Sequence, residues 1–316
     1  MMTSFRHPGT VLTDRFFSVP LDHQRPDGEQ IEVFAREVVA ADKADADLPW
    51  LLFLQGGPGF GAQRPEGRES WLDRALHDFR VLLLDQRGTG RSCPANRRTL
   101  TRLGPQAQAD YLTHFRADSI VLDAELIRRE LTDEPWSVLG QSFGGMCTVT
   151  YLSFAPHGIR EAFITGGPLY ALLHEAAYAQ GLATRWSAQR IRAEFGEFDP
   201  RVTGADPLYF TGEMIYPWMI DADPVLRPLR EAADILAERD DWPPLYDPTR
   251  LAANEVPVAA VVYYNDMYVD REFSMQTAQA IRGLRTWVTS EYEHDGLRVS
   301  NGAVLNHLFG MCRGNI

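Results

Sequence analysis

The run Trp136-Ser137-Val138-Leu139-Gly140-Gln141-Ser142-Phe143-Gly144-Gly145 joins a short apolar segment to a G-x-S-x-G turn and then to a stretch able to form a helix. A chain that passes from strand to helix in so few residues forces the central serine into strained backbone angles. It needs glycine where a β-carbon would clash. The spacing predicts a nucleophile elbow, with Ser142 Oγ projecting at the electropositive end of a helix. A serine so placed is equipped to attack a carbonyl carbon.

Attack on a carbonyl puts negative charge on its oxygen, and a second segment is suited to receive it. Pro49-Trp50-Leu51-Leu52-Phe53-Leu54-Gln55-Gly56-Gly57-Pro58-Gly59 is another buried-strand pattern, ending in a glycine-rich turn. In the α/β-hydrolase fold two backbone N–H groups meet the oxyanion, one following the nucleophile and one from an early glycine loop. Phe143 and Gly57 are the candidates. Gly56 beside them belongs to backbone that must approach substrate closely. A phosphate-binding loop would place Lys-Ser/Thr after the glycines, and Phe60-Gly61 follows instead.

A serine hydroxyl needs a base, and an imidazole needs an acceptor that holds its tautomer and stabilises its charged form. In this fold the chain order is Ser, acid, His. Downstream of the last strong strand pattern, Val258 to Tyr264, only His294 and His307 remain. His294 lies in the polar, glycine-ended segment Tyr292-Glu293-His294-Asp295-Gly296, as a loop histidine should. His307 lies in a helical pattern, where a packed or surface histidine is expected. Asp266 follows the strand immediately and is the expected acid, with Asp270 as runner-up.

The elements that must position these residues follow from hydrophobic periodicity. Two alternating segments between residues 11 and 40, split by Arg25-Pro26-Asp27-Gly28, read as an opening hairpin. Apolar runs at 49–54, 80–84, 136–139, 162–165 and 258–264 are interspersed with helical patterns such as 116–131, whose apolar positions are Ile120, Val121, Leu122, Leu126 and Ile127. Such alternation builds a mostly parallel central sheet flanked by helices. Residues 168–255 lack a strong strand run and carry helical patterns at 186–195 and 223–239, so they read as an inserted helical cap. Residues 1–167 and 256–316 are then the catalytic domain. The fold class expected is α/β, specifically an α/β-hydrolase fold.

Composition narrows the remaining possibilities. A formal net charge of -12 in 316 residues argues against a nucleic-acid partner, because no Lys/Arg stripe is built. Three scattered cysteines, Cys93, Cys147 and Cys312, make neither a disulfide framework nor a zinc site and suit a reducing compartment. Cys147 reads as a small buried packing residue rather than a reactive thiol. The first residues lack the apolar core of a signal peptide, and no stretch is apolar for the length of a bilayer. A cytoplasmic protein with no membrane partner is expected.

Leu54-Gln55-Gly56-Gly57-Pro58-Gly59, Asp85-Gln86-Arg87-Gly88-Thr89-Gly90-Arg91-Ser92, Gly140-Gln141-Ser142-Phe143-Gly144-Gly145, Asp266-Met267-Tyr268-Val269-Asp270 and Glu291-Tyr292-Glu293-His294-Asp295-Gly296 together resemble the proline iminopeptidase family. The likeness is to its larger bacterial form and covers nearly the whole chain; the D-Q-R-G-x-G-x-S run is the most specific part. The resemblance implies a serine peptidase that releases proline from peptides or amides with a free N-terminal proline, through an acyl-enzyme, with no metal or organic cofactor. It also implies cap glutamates that bind the imino nitrogen, and Glu175 and Glu213 are the best matches. Paired carboxylates in an aromatic-lined pocket would hold a secondary ammonium ion by charge-assisted hydrogen bonds. The larger members carry a longer cap, and here the segment near Gly167 is abridged. A general esterase or amidase with relaxed specificity is the alternative, and a non-catalytic scaffold the third reading.

Overall fold

The computed structural model describes residues 3–57, 59–68, 70–93, 95–165, 175–199 and 214–316. Its strands are β1 (Thr3–His7), β2 (Thr10–Pro20), β3 (Gln30–Ala40), β4 (Trp50–Leu54), β5 (Arg80–Leu84), β6 (Trp136–Gln141), β7 (Ile159–Thr165), β8 (Val258–Tyr263) and β9 (Leu284–Thr289). They form one sheet in the order β1-β2-β3-β5-β4-β6-β7-β8-β9. The pairs from β1 to β5 are antiparallel, and every pair from β5 to β9 is parallel. The expected hairpin is β2 with β3. The extra edge strand β1 carries mostly exposed residues, so it had no buried stripe by which to be read.

Two compact units divide the chain, one of residues 1–94, 116–168 and 246–316, the other of 95–115 and 169–245. The first unit holds the sheet with α1 (Ser70–Leu76), α4 (Ala117–Leu131), α5 (Phe143–Phe154), α9 (Pro248–Ala252), α10 (Arg271–Ala280), α11 (Gly296–Val299) and α12 (Ala303–Arg313). The second holds α2 (Arg97–Leu100), α3 (Pro105–Leu112), α6 (Ser187–Arg192), α7 (Pro217–Ala222) and α8 (Arg230–Glu238). Residues 95–115 join the second unit because α3 packs on α8. Residues 248–252 stay with the first because α9 packs on α5.

Strands β6 and β8 are buried at every position, which is why they read as continuous apolar runs; both faces of a parallel sheet are covered. On one face Phe53, Leu139, Phe163 and Val261 pack with Trp71 and Leu76 of α1 and Leu305 and Phe309 of α12. On α4, Ile120, Val121, Ala124 and Ile127 are buried. Leu122 and Leu126, four residues apart and therefore on one line of the helix, stay exposed at 41% and 39%.

The helical expectation over 223–239 is too long. Asp223 Oδ1 accepts the Val225 N–H, Pro228 sits at the start of a 3-10 turn, and the α-helix begins only at Arg230. Helix α6 is likewise shorter than its expected span.

A buried polar cluster fastens the elbow helix α5 to its neighbours. Trp136 Nε1 donates to Tyr151 Oη at 3.1 Å, and Tyr151 Oη donates to Glu125 Oε1 at 2.5 Å. Arg128 Nε reaches the same carboxylate at 2.9 Å. Burial would push the Glu125 carboxyl up, but the Arg128 and Tyr151 hydrogen bonds outweigh it and hold it below its ordinary value. Tyr151→Phe leaves the buried indole N–H without its acceptor and removes one of the two hydrogen bonds to Glu125 Oε1, which keeps Arg128 Nε, so it should destabilise the fold by about 1–3 kcal/mol. A lower denaturation midpoint at unchanged slope is the expected result. An unchanged midpoint would show that the cluster does not hold α5.

Candidate active site

Ser142 joins β6 to α5 with φ of 66° and ψ of −133°, a conformation that L-residues rarely occupy. Its N–H donates to the Thr165 carbonyl at 2.5 Å, and its own carbonyl accepts from the Gly145 N–H at 2.7 Å. The flanking glycines are needed because backbone lies where a side chain would go. A β-carbon on Gly140 would lie 2.2 Å from the Gly144 oxygen, and one on Gly144 would lie 1.9 Å from the Leu54 oxygen.

The glycine loop that follows Leu54 lies against the serine. A β-carbon on Gly56 would be 2.2 Å from Ser142 Cβ and 2.6 Å from its Oγ, so only glycine fits there. Gly57 has φ of +122°, which again requires glycine. Phe143 is buried and opens α5, at the end of the helix where N–H groups carry partial positive charge.

The motif at 85–92 holds this loop at both ends, a role that sequence reasoning missed although the motif itself stood out. Gln86 Nε2 donates to the Gln55 carbonyl at 3.0 Å, and the Asp85 carboxylate accepts the Ala62 and Arg91 N–H groups, each at 2.8 Å. Burial pushes the Asp85 carboxyl above its ordinary value, partly offset by those two N–H groups. Its glycines make room for the carboxylate, since a β-carbon on Gly90 would lie 2.1 Å from an Asp85 oxygen. Arg87 is fully buried and donates to Asp123 at 2.6 Å and to the carbonyls of Leu21 and Pro20.

Beyond β8 the structure brings His294 and Asp266 together. His294 Nδ1 lies 2.8 Å and 3.0 Å from the two carboxylate oxygens of Asp266. Asp266 Oδ1 also accepts the Tyr268 and Val269 N–H groups at 2.9 and 3.0 Å. Burial works against the ionised carboxylate, but these hydrogen bonds and the imidazole outweigh it and hold its pKa below the ordinary value. Tyr268 packs edge-on against the imidazole at 4.7 Å. Gln141 Nε2 reaches Asp295 Oδ1 at 3.4 Å, which ties the residue before the serine to the residue after the histidine. The described residues show no hydrogen bond between Ser142 Oγ and His294; in unliganded enzymes such bonds often tighten only with substrate.

The runners-up are engaged elsewhere. Asp270 caps α10 by accepting the Glu272 and Phe273 N–H groups, and His307 stacks on Trp287 at 4.0 Å. Glu175 accepts the Ser187 N–H at 2.9 Å and the Ala188 N–H at 2.7 Å, so it caps α6. Glu213 lies outside the described residues. Cys147 is fully buried and its thiol is pushed up by desolvation, in keeping with a packing role. Among the described residues no group of three or more His, Cys, Asp or Glu could hold a metal ion, and no helix is long and apolar enough to cross a membrane.

Residues 49–297 match the family described as alpha/beta hydrolase fold. A proline iminopeptidase from Aeromonas sobria is 40% identical over 417 aligned positions, covering 96% of this chain and 97% of the relative. That alignment is longer than the chain's 316 residues, so the relative carries segments with no counterpart here. A proline iminopeptidase from Aspergillus aculeatus is 29% identical, covering 98% of this chain and 96% of its own. Among solved structures, a hydrolase from Pseudomonas aeruginosa PA01 matches with a TM-score of 0.52 at 17% identity, over 94% of this chain and 98% of that one, a likeness of fold alone. With the glycine loop, the elbow and the paired Asp266 and His294 in place, the chain belongs to the proline iminopeptidase family of α/β-hydrolase enzymes.

Proposed function

We propose that the protein is a serine exopeptidase that releases proline from the free N-terminus of peptides through an acyl-enzyme. The observation that carries this reading is the His294–Asp266 pair, presented by the loops after β8 and β9 and tied to the elbow through Gln141 and Asp295. Ser142 Oγ attacks the carbonyl carbon of the N-terminal residue as His294 Nε2 takes its proton. The Asp266 carboxylate keeps the Nδ1 proton in place and stabilises the imidazolium. The Gly57 and Phe143 N–H groups receive the oxyanion, with Gly56 leaving room for the reacting carbonyl beside Oγ. His294 then protonates the departing amine, and water repeats the sequence to free proline and restore the serine. Glu213 is assigned to the imino terminus on the family resemblance, whereas Glu175, which the resemblance also pointed to, is taken up in capping α6.

Ser142→Ala should lower turnover of prolyl-naphthylamide by at least about 10³-fold while leaving the fold intact. Retained turnover in clean protein would refute the nucleophile. Glu213→Gln should raise KM for free-amine substrates far more than it slows a neutral ester; equal effects on both would exclude an ammonium site.

Asp266→Asn keeps the shape of the carboxylate but removes its charge, and should lower kcat by about 10³–10⁴-fold. Because the folded-state pKa of Asp266 is depressed, its contribution to stability is complete above the ordinary carboxylate value of about 4 and is lost as pH falls through the lower folded value. Wild type should therefore exceed Asp266→Asn in stability at neutral pH, with the gap closing in strong acid. A gap that widens in acid would contradict the assignment.

A further inference from the structure

We propose that the protein also hydrolyses esters of straight-chain aliphatic acids, the acyl chain lying in an apolar cavity that opens beside Ser142. The proposal rests on the assignment of Ser142 as nucleophile and extends it to a second substrate class. The cavity measures about 440 Å³ and has Ser142 in its wall. Met146 and Val149 of α5, Ile164 of β7, Val262 of β8 and Ile281 line it, all within the first unit. Among its described lining residues none is Asp, Glu, Lys, Arg or His. Such a wall offers no opposite charge to an ammonium or a carboxylate, whose burial without one is costly, and its largely apolar lining suits hydrocarbon.

Size and position specify the occupant further. Pockets of about 300–1,000 Å³ hold drug-sized ligands, so a single five-membered ring would leave most of this space unfilled. The leaving group of a serine hydrolase must lie beside the imidazole, which gives it a proton. Ser142 is in the cavity wall and His294 is not, so the acyl chain is assigned to this cavity and the leaving group to the imidazole side. Phe273, also in the wall, is 69% exposed and adds apolar surface that a long chain would cover.

The reaction needs only water. Ser142 Oγ bonds to the ester carbonyl carbon, the bond to the alcohol oxygen breaks, and the serine proton reaches that oxygen through His294. Water then adds to the acyl carbon, the bond to Ser142 Oγ breaks, and Oγ regains a proton from His294 as the fatty acid leaves.

The test is a series of p-nitrophenyl esters from acetate to laurate, each below its micellar concentration. In wild type kcat/KM should rise about two- to fourfold per added methylene, to an optimum between hexanoate and decanoate. Two variants narrow the cavity, Thr277→Trp from the exposed side of α10 and Ala260→Leu from β8. Each should lower the decanoate-to-acetate ratio of kcat/KM by at least about tenfold. Because both rates are read on one protein sample, a loss of folded protein leaves the ratio unchanged. A series that is flat or falls from acetate onward, or a ratio that neither variant moves, would overturn the proposal. Acetate hydrolysis that survives Ser142→Ala would instead overturn the nucleophile assignment and this proposal with it. Acetate hydrolysis that needs Ser142 yet shows no chain-length effect removes the acyl cavity alone.

Discussion

Gly144 sits so close to the end of β4 that a β-carbon there would lie 1.9 Å from the Leu54 oxygen, and Gly56 sits as tightly against the Ser142 side chain. The first approach is backbone against backbone, and the second sets the backbone of the glycine loop against the Ser142 side chain. Backbone contact is rigid in a way that a long side chain is not, and an oxyanion site gains from donors that need no rearrangement during reaction. The strain at Ser142, of order 1–3 kcal/mol for a non-glycine residue in that region, persists because β6, the Thr165 carbonyl and the first turn of α5 over-determine it.

The segment from Asp85 to Ser92 extends the same constraint. Gln86 holds Gln55 at the start of the glycine loop, and Asp85 holds Ala62 near its end, so the loop is pinned on both sides. Arg87 in turn is fixed by Asp123 of α4 and by carbonyls at the end of β2 and just beyond. A buried ion pair of this kind adds little net stability, but breaking it leaves a stranded charge, and so it enforces one arrangement. The motif acts through the position of the backbone at Gly56 and Gly57.

Much of this was legible in the sequence because it depends on local pattern. β4, β6 and β8 are buried on both faces and read as apolar runs, and the elbow is recognisable because glycine is the only residue its packing admits. Chain order and loop context selected Asp266 and His294 over Asp270 and His307, and the helix cap at Asp270 and the Trp287 stack at His307 give the physical reason. Features that depend on distant contacts were not legible. The reach of Gln86 to Gln55, the tie from Gln141 to Asp295 and the cavity beside Ser142 join residues far apart in the chain, and no spacing rule marks them. Edge strand β1 was missed for want of a buried face, and the helix over 223–239 was drawn too long because periodicity ignored Asp223 and Pro228.

The most direct test of the central claim is a crystal structure of the protein after reaction with a small fluorophosphonate, whose tetrahedral adduct stands in for the oxyanion intermediate. A single adduct on Ser142 Oγ is expected, with one phosphoryl oxygen within hydrogen-bonding distance of both the Gly57 and Phe143 backbone nitrogens. An adduct on another residue, or a phosphoryl oxygen turned away from both nitrogens, would contradict the claim.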